Sequence, residues 1–388
     1  FKAGQPLVYF DRCLPFGVSS SVSSCVRVTT FIRDIVREKI ATWTPTPMAS
    51  VFAYIDDFPV VGQRPALERS MRLLRGTLAA VGCPENTAKQ IEPSLQAQVL
   101  GLEYDLRDET VSLPEGKRAA YLRHFESLLR RAGADPVRFS ELQSIMGKVV
   151  HAAGVYPNGK VFYQRVRHEL IRSRHKKTVR LSESVLDDIR WWRHLLLASP
   201  GRSPLCAVPW TDANTHGVFT DASGTGWGCY YDGRYMWGLW SAEVRSLFDR
   251  GLVSISDLEL LVLNFAVETW GHELSGQRLL LWCDNQASVA NVTSRSSKMP
   301  LRAALLRRLF VFASIFGFQV ASTYIHTKRN EHADALSRGD LTRFFSLPHS
   351  HALQEVARPR LEAVGLLFDP TGPLDPSSPQ WCPRAPMP

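Results

Sequence analysis

The sequence predicts a chain of mixed α/β (α+β) class with more than one domain, and three observations carry that reading. Apolar, strand-like runs end in acids in both halves: Val51-Phe52-Ala53 before Tyr54-Ile55-Asp56-Asp57, Val218-Phe219-Thr220 before Asp221, and Leu279-Leu280-Leu281-Trp282-Cys283 before Asp284. Between them, residues 115 to 200 read as helix-rich. The length of 388 residues, 45% of them hydrophobic, exceeds one ordinary core and predicts two or three domains.

Taken in order, Leu14-Pro15-Phe16-Gly17-Val18-Ser19-Ser20 reads as a loop and N-cap before a helix over Ser23 to Ile40. Tyr54-Ile55-Asp56-Asp57 then reads as a tight hairpin presenting two carboxylates, although Asp is also a favoured residue of plain solvated turns. Leu67 to Val81 has amphipathic helical spacing, broken by Gly82-Cys83-Pro84-Glu85-Asn86 and followed by Lys89. Val99 to Tyr104 and Thr110 to Leu113 read as a strand pair. In the helical block, Asp187-Asp188-Ile189-Arg190-Trp191-Trp192 supplies aromatic packing anchors, and Pro200-Gly201-Arg202-Ser203-Pro204 reads as a linker. The second acidic series has Asp221 ending a strand ahead of the Gly-rich Gly224-Thr225-Gly226-Trp227-Gly228, then Glu259 on a strongly apolar helix, Asp284 ending another strand, and Asp334 one turn into a short helix. Each of these acids alone has a bland reading as a cap, turn or surface residue. Asp212 competes for the first position, but Asp221 follows the more apolar strand.

Lys plus Arg number 46 against 37 Asp plus Glu, a formal charge of +9. The excess is concentrated in Lys160, Arg165, Arg167, Arg172, Arg174, Lys176, Lys177 and Arg180, against Glu169 alone. An isolated basic run is usually a solvated face; beside phosphate chemistry it favours a surface that contacts a nucleic-acid backbone. Seven cysteines, at positions 13, 25, 83, 206, 229, 283 and 382, lack metal-ligand spacing and predict reduced thiols of an intracellular protein. The longest apolar run, Leu309 to Gly317, is well short of a membrane span. The start at Phe1, directly in strand-like residues, points to an upstream part cut away.

Leu-Pro-Phe-Gly at 14 to 17, Tyr-Ile-Asp-Asp at 54 to 57, Asn86 with Lys89, and Leu-Gly-Leu at 100 to 102 occur in the order of the later palm motifs of reverse transcriptases, which this region resembles. The resemblance implies that Asp56 and Asp57 bind metal. It places Phe16, Gly17 and Tyr54 near the incoming nucleotide and template, makes Lys89 a candidate proton donor to pyrophosphate, and puts Gly101 in a primer-gripping turn. The earlier palm aspartate of that family has no counterpart, since Asp11 is the only acid before Gly17. Residues 1–112 therefore resemble a partial palm, lacking the fingers and the first catalytic strand, and 113–200 a helical thumb and connection.

The order strand-Asp, helix-Glu, strand-Asp, helix-Asp, at intervals of 38, 25 and 50 residues, resembles the ribonuclease H fold over residues 210–340. By that resemblance Asp221, Glu259, Asp284 and Asp334 hold two divalent ions, Mg2+ or Mn2+, for in-line cleavage of RNA in an RNA/DNA hybrid. Four gathered acids repel one another and raise each other's pKa values, which itself calls for a cation. His326 falls where many members carry a His that assists proton transfer or product release. Leu142-Gln143-Ser144-Ile145-Met146-Gly147-Lys148, Gly159-Lys160-Val161-Phe162, Arg190-Trp191-Trp192, Cys283-Asp284-Asn285-Gln286-Ala287 and Ala333-Asp334-Ala335-Leu336-Ser337-Arg338 narrow the resemblance to DIRS-like retrotransposons, related to gypsy-type elements and pararetroviruses. The implied partners are hybrid and primer-template nucleic acid, with deoxynucleoside triphosphates if the parent polymerase is complete, in the nucleus or cytoplasm. Residues 341–388 read as a Pro-rich tail, with seven prolines after position 368. A catalytically silent nucleic-acid-binding relic and a DNA-cutting nuclease of transposase type are the competing readings.

Overall fold

An apolar stripe on the first helix organises the N-terminal part of the chain. The structure, a computed structural model, describes residues 19–43, 48–83, 85–132, 135–199, 201–205, 209–211 and 214–356. It divides into two compact units, Phe1–Asp108 and Glu109–Pro388, the second containing both 113–200 and 210–340.

In the first unit, α1 (Ser19–Ala41) places Ile32, Val36 and Ile40 four residues apart, on one face, where they pack with Val51 and Leu74. Strands β1 (Ala49–Val51) and β2 (Val60–Gly62) pair antiparallel with Val51 opposite Val60, and the hairpin between them carries the Asp-Asp pair. Helix α2 (Arg64–Ala80) starts with Pro65 in its first turn, where the missing N–H costs nothing. Strand β3 (Gln96–Val99) turns directly into β4 (Leu102–Asp105). The single strand expected over Val99 to Tyr104 is thus two strands joined by a two-residue turn. Leu100 and Gly101 both take positive φ, +50° and +78°, and such a turn requires the conformational freedom that Gly101 has.

The second unit opens with β5 (Thr110–Ser112), α3 (Glu115–Ala132), β6 (Val137–Arg138), α4 (Phe139–Ala152), α5 (Gln164–Arg172), β7 (Thr178–Val179), α6 (Glu183–Ala198) and β8 (Arg202–Pro204). Residues 202–204, expected to be linker, form a strand paired antiparallel with β5. Tyr156 anchors the chain just before it by donating from its hydroxyl to Ser199 O at 2.7 Å. Trp191 and Trp192 of α6 are fully buried, as expected of packing anchors, and Phe162 stacks on Trp191 at 5.3 Å.

A six-stranded mixed sheet follows, made of β9 (His216–Ala222), β10 (Gly226–Tyr231), β11 (Arg234–Leu239), β12 (Arg278–Cys283), β13 (Gln319–Tyr324) and β14 (Gln354–Glu355), in the spatial order β13-β12-β9-β10-β11-β14. Strands β9, β10 and β11 form an antiparallel meander, β12 and β13 run parallel to β9, and β14 runs parallel to β11. Its helices are α7 (Ala242–Asp249), α8 (Ile255–Trp270), α9 (Gln286–Ser294), α10 (Pro300–Ile315), α11 (Glu331–Ser337) and α12 (Leu341–Ser346). The mixed α/β class is the one expected from the sequence. Arg307 of α10 forms a buried ion pair with Asp188 of α6, tying the helical segment to the sheet's helices; removing one partner of such a pair costs about 3–5 kcal/mol. Beyond position 340, expected to be tail, Phe344 is fully buried against Tyr235, Ala335 and Leu336, and the chain adds β14 to the sheet edge. Residues 357–388 lie outside the described part. Among the described residues no helix is long and apolar enough to cross a membrane.

Candidate metal centre

The parallel pairing of β9 and β12 brings two acids together. Phe219 is in register with Trp282, so Asp221 and Asp284, two residues further on, emerge side by side at the strand ends. Helix α8 starts with a capping box, in which Ser254 and Asp257 exchange side-chain and backbone hydrogen bonds, and Glu259 follows one turn in. One carboxylate oxygen each from Asp221, Glu259 and Asp284 lies within 4.8 Å of the others, a ligand set of metal-binding size. It is the one group of three or more such ligands among the described residues.

These acids are fixed rather than solvated. Glu259 is 2% exposed and accepts from Ala222 N at 3.1 Å and from the Cys283 thiol at 3.6 Å. Asp221 is 4% exposed and accepts from the Ser337 hydroxyl. Asp284, partly buried, accepts from Thr327 Oγ1 at 2.8 Å, and the neighbouring Asn285 caps α9 by accepting from Ser288 N at 3.0 Å. Burial first, then the charges of Asp284 and Asp334, push Asp221 up to about 7, against the Ser337 hydrogen bond and the Arg338 guanidinium. Burial, with the charges of Asp221 and Asp284, pushes Glu259 well above the carboxylate range. A cluster that resists ionisation through burial and mutual repulsion is one a divalent cation would stabilise, and hard oxygen ligands suit Mg2+ or Mn2+.

Asp334 stands beside this group but is held by arginines. It is 5% exposed and ion-paired with Arg338 Nε at 2.8 Å and Arg343 Nη1 at 2.6 Å. Close packing sets the height of α11 here: a Cβ on Gly228 of β10 would meet Leu336 Cβ at 2.3 Å, so only glycine admits the helix. His326 is exposed, two residues beyond β13, and its Nδ1 accepts from Lys328 N at 3.2 Å, capping the turn over Thr327–Arg329. Asn330, fully buried, donates to Thr220 O at 2.9 Å. Sequence reading missed Ser337, Thr327, Asn330 and Arg343 as supports. The signal for Ser337 and Arg338 was their spacing three and four residues after Asp334, on the same helix face.

The Asp56–Asp57 pair has different surroundings. Tyr54 and Asp57 exchange both backbone hydrogen bonds at 2.9 Å, closing the expected hairpin. At its base, Arg37 Nε donates to Val51 O at 2.7 Å. Ile55, at the turn, takes φ +53°, a left-handed conformation that a β-branched residue adopts only under strain. Tyr54, Asp56 and Asp57 are exposed, and no third ligand joins the two acids among the described residues. Lys89 ends a short 3-10 turn, Thr87–Lys89, in the same unit, and Gly101 lies in the β3–β4 turn. Phe16, Gly17 and Asp212 lie outside the described residues. In the basic run, Arg165 donates to Ser184 O at 3.2 Å, while the other seven basic side chains are exposed. The described cysteines, 25, 83, 229 and 283, are free thiols.

No family model and no curated protein matches the chain. Among solved structures, the chain is similar to the foamy viral protease-reverse transcriptase dRH in complex with ds DNA, at 12% identity and a TM-score of 0.36, over 78% of this chain and 49% of that one. The same viral enzyme in complex with RNA/DNA hybrid aligns at 11% identity and 0.32, over 80% and 38%. In complex with dsDNA it aligns at 14% and 0.33, over 81% and 60%. The chain thus spans less than two thirds of each of these viral chains, and likeness this loose bears on no residue's role.

Proposed function

We propose that this chain is the reverse transcriptase/ribonuclease H portion of a retroelement, of DIRS-like type by its motifs, whose C-terminal unit cleaves the RNA strand of RNA/DNA hybrids. The observation that carries the reading is the buried convergence of Asp221, Glu259 and Asp284 from two parallel strand ends and one helix. Asp221 and Asp284 stand side by side at the strand ends, and Glu259 is fixed beside them by the Ala222 N–H. Ser337 and Thr327 fix the orientation of Asp221 and Asp284. Bound divalent ions there supply water activation and stabilisation of the leaving oxygen. Asp334 completes the set once its arginines yield, and His326, exposed at the start of the turn it caps, is the candidate for proton transfer or product release. The exposed basic side chains of Lys160 to Arg180 contact nucleic-acid phosphates.

In this reading the N-terminal unit is part of a palm, with Asp56 and Asp57 at its nucleotide end and Lys89, Gly101, Phe16 and Gly17 in supporting roles. The exposure of its acid pair, with no third ligand among the described residues, favours a second reading for that unit alone, a nucleic-acid-binding relic without polymerase activity. The test is cleavage of end-labelled RNA in a hybrid with magnesium, compared with duplex DNA. Hybrid cutting that Asp284→Asn abolishes supports the proposal. Equal cutting of duplex DNA would move the chain to the DNA-nuclease class, and no cutting by folded protein would leave only binding.

A further inference from the structure

One face of the sheet carries a row of rings that stops one strand short. Across β10, β9 and β12, Tyr230, Phe219 and Trp282 occupy neighbouring register positions. Their rings are nearly parallel: Tyr230 and Phe219 are 4.6 Å apart at 3°, and Phe219 and Trp282 are 5.7 Å apart at 6°. The next register position, on the edge strand β13, is Thr323, which is too small to continue the stack. A cavity of about 410 Å³ opens at this point, lined by Trp210, Leu280, Trp282, Arg295, Ser322 and Thr323 among others, with no carboxylate in its lining. Its volume is within the range of about 300–1,000 Å³ typical of small-ligand sites.

Arg295 gives the cavity its charge. It follows α9 in a left-handed conformation, φ +53°, and its guanidinium lies 5.3 Å from the Phe310 ring. Its Nε is buried and has no hydrogen-bond acceptor among the described residues, so the cation lacks the partner that a half-buried guanidinium usually has. On the other wall, the Arg278 guanidinium sits 4.1 Å from the Trp210 ring, holding that indole. The row of rings lies two residues before Asp221 and Asp284 on their own strands, about 6–7 Å along the strand from the carboxylates.

We propose that this cavity binds one nucleotide of a single-stranded segment flanking the hybrid, its base stacking on the open side of Trp282 above Thr323 and its phosphate pairing with Arg295. Every base has a π-face, so the slot is sequence-tolerant, and a phosphate supplies the anion that the lining lacks. The inference rests on the nucleic-acid reading above for the source of the strand, and the slot's chemistry fits a free nucleoside monophosphate as well.

The test measures binding in EDTA, so that cleavage plays no part. A fluorescent RNA/DNA hybrid with a short single-stranded extension is compared with the blunt hybrid. The extension is expected to tighten binding by about fivefold, equivalent to about 1 kcal/mol and within the lower range of stacking on one aromatic. Thr323→Phe, which fills the slot with a fourth ring, and Arg295→Gln should each abolish the gain, while Thr323→Val keeps it. If Thr323→Phe melts early, Arg295→Gln still decides. Adenosine monophosphate that competes for the extension marks the slot as open to free nucleotides, and lack of competition marks it as strand-specific; either supports the slot when the variants lose the gain. A gain that survives both variants, or no gain in the wild type, overturns the proposal. Failure to bind even the blunt hybrid would instead overturn the nucleic-acid reading, and saturation-transfer NMR with adenosine monophosphate would still report on the slot.

Discussion

Two regions of this molecule present paired acids at strand ends, and they differ in everything around the acids. Asp221 and Asp284 are joined by Glu259, with Asp221 and Glu259 buried and Asp284 partly so, and are hydrogen-bonded by Ser337 and Thr327. Asp56 and Asp57 project into solvent from a strained turn with no third acid among the described residues. Carboxylates become a metal centre when burial and mutual repulsion make their charge costly without a cation. The same residue type on an open turn keeps its charge at little cost.

The largest expected break in this comparison comes from Asp284→Asn. Outer supports of metal ligands are worth about 10–100-fold, so loss of a ligand should lower magnesium-dependent RNA cleavage by more than about 100-fold. The paired Asp56→Asn/Asp57→Asn variant should leave that rate unchanged. Ser337→Ala, which removes only the hydroxyl on Asp221, should cost about 10–100-fold in metal affinity, read by calorimetry. An unchanged affinity would show that Asp221 needs no outer support.

The third contrast is in pH. Because Asp221 has its folded-state pKa raised to about 7, the folded protein holds a proton that the unfolded chain releases from about pH 4 upward. Metal-free stability should therefore fall as pH rises from about 4 to about 7, with a loss of about 1–4 kcal/mol from Asp221 at 1.36 kcal/mol per pKa unit, and Glu259, raised in the same way, adds to the fall. Asp221→Asn should flatten the slope and magnesium should offset it, both visible in chemical denaturation across that range. The smallest effect belongs to the exposed hairpin. Ile55→Gly relieves a left-handed β-branched residue and should slow hydrogen exchange at Tyr54 and Asp57 by about tenfold, for a strain of about 1–2 kcal/mol. Faster exchange there would mean that packing by Ile55 outweighs its strain.

Much of this was legible in the residues. Strand-Asp and helix-Glu patterns located Asp221, Glu259 and Asp284, because a buried strand reads as an apolar run and its end is where a lone acid can face a site. Leu100-Gly101 as a turn and Arg202 to Pro204 as a strand were not legible. The first hid in an apolar stretch whose only break is one glycine, and the second is made of turn-type residues recruited by pairing with β5. The contacts of Thr327 with Asp284 and of Arg343 with Asp334 depend on which segments approach one another, and no spacing along the chain encodes that, unlike the pairing of Arg338 with Asp334 four residues before it. The ring row ending at Thr323 is likewise a property of register between four strands.

The most direct measurement is a titration of Mn2+ into the full chain, followed by the electron paramagnetic resonance of free ion, in the wild type, Asp284→Asn and Asp56→Asn/Asp57→Asn. Binding by the wild type should survive in the double hairpin variant and be lost in Asp284→Asn. Binding that survives in Asp284→Asn but disappears with the hairpin acids would contradict this and place the metal centre in the other unit.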